Sequence, residues 1–417
     1  MVSAQMTEID EILQEFPPGV REHLRQAWDK MPEAARRPLT AALRELPGDL
    51  GRWRELMRLA LSHLPMVTGD KRRVAIVGPA NVGKSTLYNQ LVRNAVDRAE
   101  VSAVPGTTRV SQMADAGLFA VVDTPGADAV GAVGEDEKER AFAAARGADF
   151  LVIVFDAIQG IKRTEQELFR ELQALELPHV VVLNEIDLVA GVRERERVVE
   201  AVARNLGLTA DEVLPCVAKD GKRVERVLLA VAKAEPEIVA ALGAALPHYR
   251  RMLAWSATKR AGATAATIAL VPLPILDVFP LLAVQSSLVL GIARIYAKRM
   301  TLARARELVV TFGVGLLGRT LFQELSKLGG PPGWVLAAAI ASSTTVVMGR
   351  AAAVWFERGE RAKASDLRAE SRSLAKRMLR SLTKLGRRPR REAVAREVEA
   401  ALSEAPPTEP GAQVADP

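Results

Sequence analysis

The stretch GPANVGKS occupies residues 78–85, directly after a short β-branched run at 72–77 and before a segment with helical periodicity. It matches G-x-x-x-x-G-K-[ST] in the strand-to-helix context that this motif requires. The glycines let the loop curl so that backbone N–H groups point at phosphate oxygens, and the following helix adds the positive end of its dipole. We therefore predict a phosphate-binding loop, with a chance match as the alternative.

The side chains of this loop have separate predicted roles. Lys84 can reach the β- and γ-phosphates of a nucleotide, and the Ser85 hydroxyl can ligate Mg²⁺. The residues of the loop predicted to bind nucleotide are Asn81, Val82, Gly83, Lys84, Ser85 and Thr86.

Two further motifs suit a site that senses the γ-phosphate. DTPG at 123–126 ends another strand-like run, where the Asp123 carboxylate can hold the magnesium shell and the Gly126 N–H can reach the γ-phosphate. In PGTTR at 105–109 we expect Thr108 to close over Mg²⁺ and the γ-phosphate. Thr107 is the second choice for that role, and a Pro-Gly turn with solvated threonines is the structural alternative. The predicted catalytic residues are Lys84, Thr108 and Gly126, and the predicted metal ligands are Ser85, Thr108 and Asp123.

A base-binding site is predicted from two motifs later in the chain. NEID at 184–187 follows a strand-like run, and its N-x-x-D spacing lets Asp187 accept from guanine N1–H and the exocyclic amine. Adenine has no such pair of donors. Asn184 would brace the loop and the base edge. After the next predicted strand, Ala218 could place its backbone N–H on guanine O6, with Lys219 beside it.

In this order the motifs resemble those of Era-like GTPases, which read G-x-P-N-V-G-K-S, P-G-T-T-R, D-T-P-G, N-K-x-D and S-A-K. The resemblance implies an α/β P-loop GTPase domain, a mostly parallel sheet flanked by helices, with GTP and GDP as ligands and Mg²⁺ as cofactor. Two positions depart from the pattern, because Glu185 replaces the family's lysine and Val217 its serine. Glutamate carries the opposite charge, so we expect weaker nucleotide affinity, with guanine selection retained through Asp187.

The resemblance also bears on hydrolysis. Ala127 follows the DTPG motif where a Ras-type enzyme carries a glutamine that orients water, and alanine cannot do this. Era-like proteins share this lack, and several with asparagine at the Asn81 position are similar to potassium-stimulated GTPases. We expect slow intrinsic turnover, with K⁺ as a further cofactor and Asn81 as its candidate ligand. A loop residue that satisfies nearby backbone groups is the alternative for Asn81.

At 417 residues the chain exceeds one compact domain, and its single cysteine, Cys216, excludes an intrachain disulfide. No secretion signal is recognisable, so we expect the chain to face the cytoplasm. The predicted units are an N-terminal helical segment at 1–68, the GTPase domain at 69–236, an apolar, all-α, membrane-associated domain at 237–356, a basic amphipathic helix at 357–400 and a disordered tail at 401–417.

The membrane prediction depends on two apolar stretches. Residues 262–293 are almost free of charge, but Pro272, Pro274 and Asp277 break them, which favours a re-entrant or shallow hairpin. Residues 328–349 are long enough to span, although both flanks are basic. The arrangement resembles a YcjF-like helical domain of unknown function that is usually regarded as membrane-associated. A bundle of helices packed in water is the alternative.

Charge suggests the partners. The net charge is +7, and the basic excess lies mostly after Arg350. The basic helix could lie on anionic lipid, grip RNA phosphate, or form a solvated face. We predict a GTP-binding, slowly hydrolysing switch at the cytoplasmic side of the cell membrane, with an unidentified protein effector. The alternative is an RNA- or ribosome-associated assembly GTPase.

Overall fold

The computed structural model describes residues 50–71, 73–92, 118–124, 142–270, 278–301, 303–305, 333–359, 364–386 and 389–403. The predicted N-terminal segment is therefore described only from Leu50 onward, and the predicted tail only to Ser403.

A parallel sheet of five strands forms the first half of the described chain. The strands are β1 (Val74–Pro79), β2 (Phe119–Thr124), β3 (Phe150–Asp156), β4 (His179–Asn184) and β5 (Val213–Pro215). They pair in the order β2-β1-β3-β4-β5, and every pair is parallel. All five carboxyl ends therefore lie at one edge of the sheet, and the predicted α/β fold is confirmed.

The described helices, in chain order, are α1 (Leu50–Leu61), α2 (Pro65–Thr68), α3 (Lys84–Val92), α4 (Arg163–Gln173), α5 (Val192–Leu206), α6 (Val224–Ala234), α7 (Val239–Ala245), α8 (Arg250–Ile268), α9 (Val278–Ile295), α10 (Gly333–Arg358), α11 (Ala364–Leu382) and α12 (Arg391–Ser403). Residues 142–146 are also helical.

Helices cover both faces of the sheet, which explains its continuous apolar strands. Every residue of β3 is buried. On β1, Ile76 packs with α3 and α6, while its neighbour Val77 packs on the other face with α4 and α5. A strand that is covered on both faces gains from an apolar residue at every position, so it shows no polar alternation.

The remaining helices form one packed unit. Helix α8 lies against α9, α10 and α12, and α11 packs on α10 and α12. Helices α1 and α2, which precede the sheet in the chain, pack on α9. One hydrophobic core runs from Ile76 in the sheet to Leu253 on α8 and Leu288 on α9. The helices before and after the sheet domain therefore belong to one body that is continuous with it.

Helix α10 is the one described helix that is long and apolar enough to cross a membrane by length and composition, with a mean hydropathy of 1.4 over its best window. Of that window, 78% is buried inside the protein. The predicted spanning segment at 328–349 thus falls largely on a helix covered by α8, α9 and α11. In the other apolar stretch, α8 and α9 pack on each other, and residues 271–277, with Pro272, Pro274 and Asp277, lie outside the described residues.

The predicted basic helix at 357–400 differs from the structure. It consists of the end of α10, helix α11 and helix α12, with a short 3₁₀ turn at Thr383–Leu385. Leu367, Leu374, Met378 and Leu382 of α11 are buried against α10 and α12. The amphipathic pattern is present in α11, but its apolar face packs against protein because two neighbouring helices cover it.

Candidate functional site

The predicted phosphate loop connects β1 to α3 and approaches two other strands closely. Gly78 has φ 155°, and a Cβ added there would lie 2.2 Å from the carbonyl oxygen of Val154 on β3. Gly83 has φ 86°, a conformation that side chains rarely adopt. Asn81 has φ 62° and is exposed. The two glycines are thus required by close contacts as well as by backbone conformation.

Lys84 is the first residue of α3, and its side chain is held inside the loop. The residue is only 3% exposed, and Nζ donates a hydrogen bond to the Pro79 carbonyl across the loop. Ser85 and Thr86 follow in the same first turn and are half-buried. An ammonium group and a hydroxyl therefore lie side by side at a helix N-terminus, as binding of a phosphate and its cation requires.

Asn184, at the end of β4, joins the phosphate loop to the predicted base loop. Its Nδ2 donates to the carbonyl of Val82 at 3.0 Å, and its Oδ1 accepts from the N–H of Ala218 at 2.9 Å. Asn184 is 2% exposed, so both hydrogen bonds are shielded from water. One amide thereby holds together two loops that are 136 residues apart in the chain, as their numbers 82 and 218 show.

The N–H of Ala218, which we predict to contact guanine O6, is engaged within the protein. It donates to Oδ1 of Asn184. A single N–H forms one strong hydrogen bond, so contact with O6 would require this bond to be exchanged. Lys219 follows directly, and its carbonyl accepts from Nε2 of Gln90 on α3 at 3.1 Å.

Two positioning residues were not found from the sequence. Gln90 ties α3 to the base loop through Lys219. Arg195 on α5 donates from Nε to the Val189 carbonyl at 2.9 Å and from Nη2 to the Asp187 carbonyl at 3.1 Å. Asp187 itself is exposed. Gln90 and Arg195 are polar residues on helices, and no local pattern distinguishes them from solvated residues.

Glu185 occupies an acidic environment. Its backbone is left-handed, with φ 61°, and the residue is half-buried. Burial raises the pKa of its carboxyl group, and the neighbouring carboxylates of Asp156 and Asp187 raise it further, while Lys219 opposes them. Glu185, at the position of the family's lysine, therefore has surroundings that destabilise the charged form of its carboxyl group.

The magnesium ligands are only partly described. Ser85 lies at the start of α3, and Asp123 on β2 is paired in register with Gly78 on β1, which puts the Asp123 backbone beside the loop. The side chain of Asp123, and residues Thr107, Thr108 and Gly126, lie outside what the structure describes. Among the described residues there is no group of three or more His, Cys, Asp and Glu side chains that could hold a metal ion. Mg²⁺ usually takes one or two protein ligands together with phosphates, and Ser85 is the one predicted ligand whose side chain the structure describes.

Two families match separate parts of the chain. Residues 73–185 match the family described as 50S ribosome-binding GTPase. Residues 245–384 match a domain of unknown function, DUF697, which is the YcjF-like family.

Named relatives match only around the sheet domain. The chain is 32% identical to GTPase Der of Acinetobacter baumannii (strain SDF) over 169 residues, which are 39% of this chain and 34% of that protein. It is 39% identical to the tRNA modification GTPase MnmE of Synechocystis over 154 residues, which are 34% of this chain and 32% of that protein. The chain thus spans about a third of the length of these relatives.

Solved structures of Era are similar in part. A variant of Aquifex aeolicus Era bound to GDP and AlF4⁻ has 23% identity and a TM-score of 0.34, covering 47% of this chain and 67% of that one. Era in complex with MgGDPNP and a segment of 16S ribosomal RNA has 24% identity and a TM-score of 0.35, covering 46% of this chain and 67% of that one. By the two family matches, the chain carries a GTPase domain that includes residues 73–185, followed by a DUF697 domain at residues 245–384.

Proposed function

We propose that this protein is a guanine-nucleotide switch that binds GTP and GDP with Mg²⁺ and hydrolyses GTP slowly. The observation that supports this most directly is the bridge made by Asn184 between Val82 and Ala218. It assembles the phosphate loop and the base loop into one site at the carboxyl edge of the sheet. Ligands of open α/β sheets bind at that edge.

The residues of the loop can perform the binding steps of phosphoryl transfer. Lys84 would exchange the Pro79 carbonyl for β- and γ-phosphate oxygens and neutralise part of their charge. The Ser85 hydroxyl, the Thr108 hydroxyl and the Asp123 carboxylate would hold Mg²⁺, which supplies charge neutralisation at the phosphates when bound. Gly126 would donate its N–H to the γ-phosphate.

Slow turnover would follow from the residue type after the DTPG motif. Ala127 has no group that can orient water, so hydrolysis would depend on charge stabilisation alone. Asn81 is exposed, with φ 62°, at the turn of the loop, where its side chain is accessible to a K⁺ ion. Faster turnover in K⁺ than in Na⁺ is the expected result, and equal rates would remove the role of K⁺.

The nucleotide state would pass to the helical part through packed contacts. The γ-phosphate would hold Thr108 and residues 123–134 until hydrolysis releases them. Strand β2, which leads into the second of these segments, pairs with β1, and β1 shares a continuous core with α8 and α9. A protein effector would then recognise the helical part in one of the two states.

We also propose action at the cytoplasmic face of the membrane, by peripheral contact. Because the apolar faces of α10 and α11 are buried, contact with lipid would use exposed cations. Arg372, Lys376, Arg380 and Lys384 are exposed along α11 and the turn that follows it. Such cations attract anionic phospholipid by about 1 kcal/mol each.

RNA binding is the second candidate, and the same exposed cations favour it. Lysine and arginine side chains neutralise RNA phosphates, and such binding weakens steeply with salt. A ribosome-associated role would fit the description of the matching family, but the chain covers only part of each named relative.

Nucleotide binding is tested with the full chain and a fluorescent GDP analogue in Mg²⁺, competed with GTP, GDP and ATP. GTP and GDP should compete and ATP should not, and Lys84→Ala should abolish binding. Lys162→Ala, an exposed lysine outside the site, should bind as the parent protein does. If the folded protein binds no guanine nucleotide, or binds ATP equally well, the proposal is wrong.

Vesicle flotation separates the two partner classes. Phosphatidylglycerol vesicles should carry the protein upward, and Lys376→Ala with Arg380→Ala should reduce the bound fraction. Retention on RNA at moderate salt, without flotation, would instead support the RNA-binding alternative.

A further inference from the structure

A cavity of about 690 Å³ lies far from the nucleotide site, where the sheet domain meets the helical part. It opens at the amino ends of β1 and β2, beside residues 69–71 and Leu118. The phosphate loop lies at the opposite ends of these strands. Small-ligand sites commonly occupy about 300–1,000 Å³ and often form at domain junctions.

One wall of the cavity is apolar and consists of small side chains. Ala240, Ala241, Ala244 and Ala245 of α7 line it, and their spacing puts them on one face of the helix. Leu118 adds an apolar side chain from the sheet domain. Because alanine projects so little, this wall leaves room for the apolar part of a ligand.

Cationic residues also line the cavity. Arg294, Lys298 and Arg299 come from the end of α9 and the residues that follow it, and Lys71 comes from the approach to β1. Four cationic side chains therefore face the cavity, against the two acidic residues Asp70 and Glu237.

These cations are not equivalent. Arg294 is held in place, because its guanidinium donates to the carbonyls of Val67 and Gly69, the latter at 2.9 Å. Lys71 is paired with Glu235 at 2.7 Å. Lys298 and Arg299 are exposed, and no hydrogen bond or ion pair engages their side chains within the described part of the chain. They are the two cations that remain for an external anion.

The turn that presents these two residues adopts a demanding conformation. Ala297 has φ 54°, the left-handed conformation that glycine usually occupies after a helix. Its N–H donates to the Arg294 carbonyl at 2.9 Å, and the Lys298 N–H donates to the Ala293 carbonyl at 2.8 Å. This closed turn ends α9, and Lys298 and Arg299, at its end, line the cavity.

We propose that this cavity binds a small amphiphilic anion, with its acidic group at Lys298 and Arg299 and its apolar part on the alanine wall of α7. A charged group paired with two cations forms charge-assisted hydrogen bonds, which are stronger than neutral ones. The inference is independent of nucleotide binding, because none of these residues belongs to the GTP site. The competing explanation is that the cations only complement the negative end of the α9 dipole.

The test uses the full chain without nucleotide and 8-anilino-1-naphthalenesulfonate as the probe. Fluorescence should show saturable binding with one site per chain. Lys298→Ala with Arg299→Ala should weaken it by about ten-fold, the equivalent of one charge-assisted contact. Ala244→Trp, at an exposed position of the apolar wall, should weaken binding comparably by filling the space.

The matched control is Lys162→Ala with Arg163→Ala, which removes the same two charges from exposed positions at the start of α4 and should leave binding unchanged. The proposal would be overturned if the Lys298 and Arg299 variant bound the anionic probe as tightly as the parent protein does. It would also be overturned if the parent bound the neutral N-phenyl-1-naphthylamine as tightly as the anionic probe. Near-ultraviolet circular dichroism of each variant shows whether a loss of binding is a loss of fold.

Displacement identifies the source of the natural anion. Dodecyl phosphate represents a soluble amphiphile, and phosphatidylglycerol vesicles represent membrane lipid. Displacement by dodecyl phosphate alone assigns a soluble ligand, displacement by both assigns a lipid, and displacement by neither contradicts the site.

Discussion

The side-chain nitrogen of Asn184 lies directly against Gly83, so that a Cβ added to Gly83 would stand 2.2 Å from it. The same amide bonds to Val82 on one side and Ala218 on the other. The phosphate loop, the end of β4 and the base loop therefore meet at a single buried group, and this contact allows no side chain at position 83.

Asn184→Ala should loosen both loops at once. It leaves the Val82 carbonyl and the Ala218 N–H without their partner, at a cost of about 2–3 kcal/mol in the free energy of unfolding. We expect GDP affinity to fall by about ten-fold or more, since the two loops no longer hold a common geometry. Urea denaturation and a nucleotide titration measure the two effects.

Asn205→Ala is the matched control, because Asn205 is exposed on α5. It should change the unfolding free energy by less than about 0.5 kcal/mol. An Asn184→Ala protein with the stability and GDP affinity of the parent would show that the bridge contributes nothing.

Glu185→Lys should strengthen nucleotide binding. The present carboxyl group is disfavoured in its charged form by burial and by Asp156 and Asp187, and a lysine would be attracted by the same two carboxylates. We expect GDP to bind several-fold more tightly, measured by titration of the fluorescent analogue. Glu185→Gln removes the negative charge and adds no positive one, so its GDP affinity should lie between those of the parent protein and Glu185→Lys. Weaker binding by Glu185→Lys would identify the acid as a specialised part of the site.

Cys216 should be inert in the folded protein. Its thiol is buried, and burial raises its pKa to about 11, so almost none of it is thiolate at pH 8. Ellman's reagent should label it slowly in the native state and completely in denaturant. The residue lies just before the base loop, and its N–H bonds to Leu183 at 2.9 Å. Bound GDP should therefore slow labelling further, and fast labelling of the native protein would contradict the burial.

Gly243→Ala should disrupt the contact between α7 and α9. A Cβ there would lie 2.6 Å from the carbonyl oxygen of Ile295 and 2.8 Å from its Cα, and neither backbone atom can rotate away. Overpacking of this kind costs about 1–3 kcal/mol. Gly333→Ala is the control, because a Cβ at that position meets nothing within 4 Å. Chemical denaturation measures the free energy of unfolding of both variants. Equal values would mean that α7 can move away from α9 without cost.

Much of the sheet domain could be predicted from local patterns. Buried strands such as β3 are apolar at every position, and the GPANVGKS motif connects a strand to a helix as expected. The predicted site residues of this loop lie together at the start of α3. Gln90 and Arg195 escaped prediction because their partners are backbone carbonyls, 129 residues away for Gln90 and six and eight residues away for Arg195, which no spacing rule specifies.

The helical part shows where composition is ambiguous. A long apolar helix has the same sequence whether lipid or protein surrounds it, and α10 is covered by α8, α9 and α11. In the same way, the apolar face of α11 could have met a membrane, but it packs on α10 and α12.

The sequence by itself determined the strand, loop and helix of the phosphate site, because helix and strand periodicity and the phosphate loop are local properties of the chain. Only the tertiary structure decided the acceptor of the Ala218 N–H, the neighbours of Glu185, the covering of α10 and the cavity beside Lys298. Each of these depends on which distant segments pack together, and the burial of apolar surface that drives such packing does not specify its partner in any local pattern.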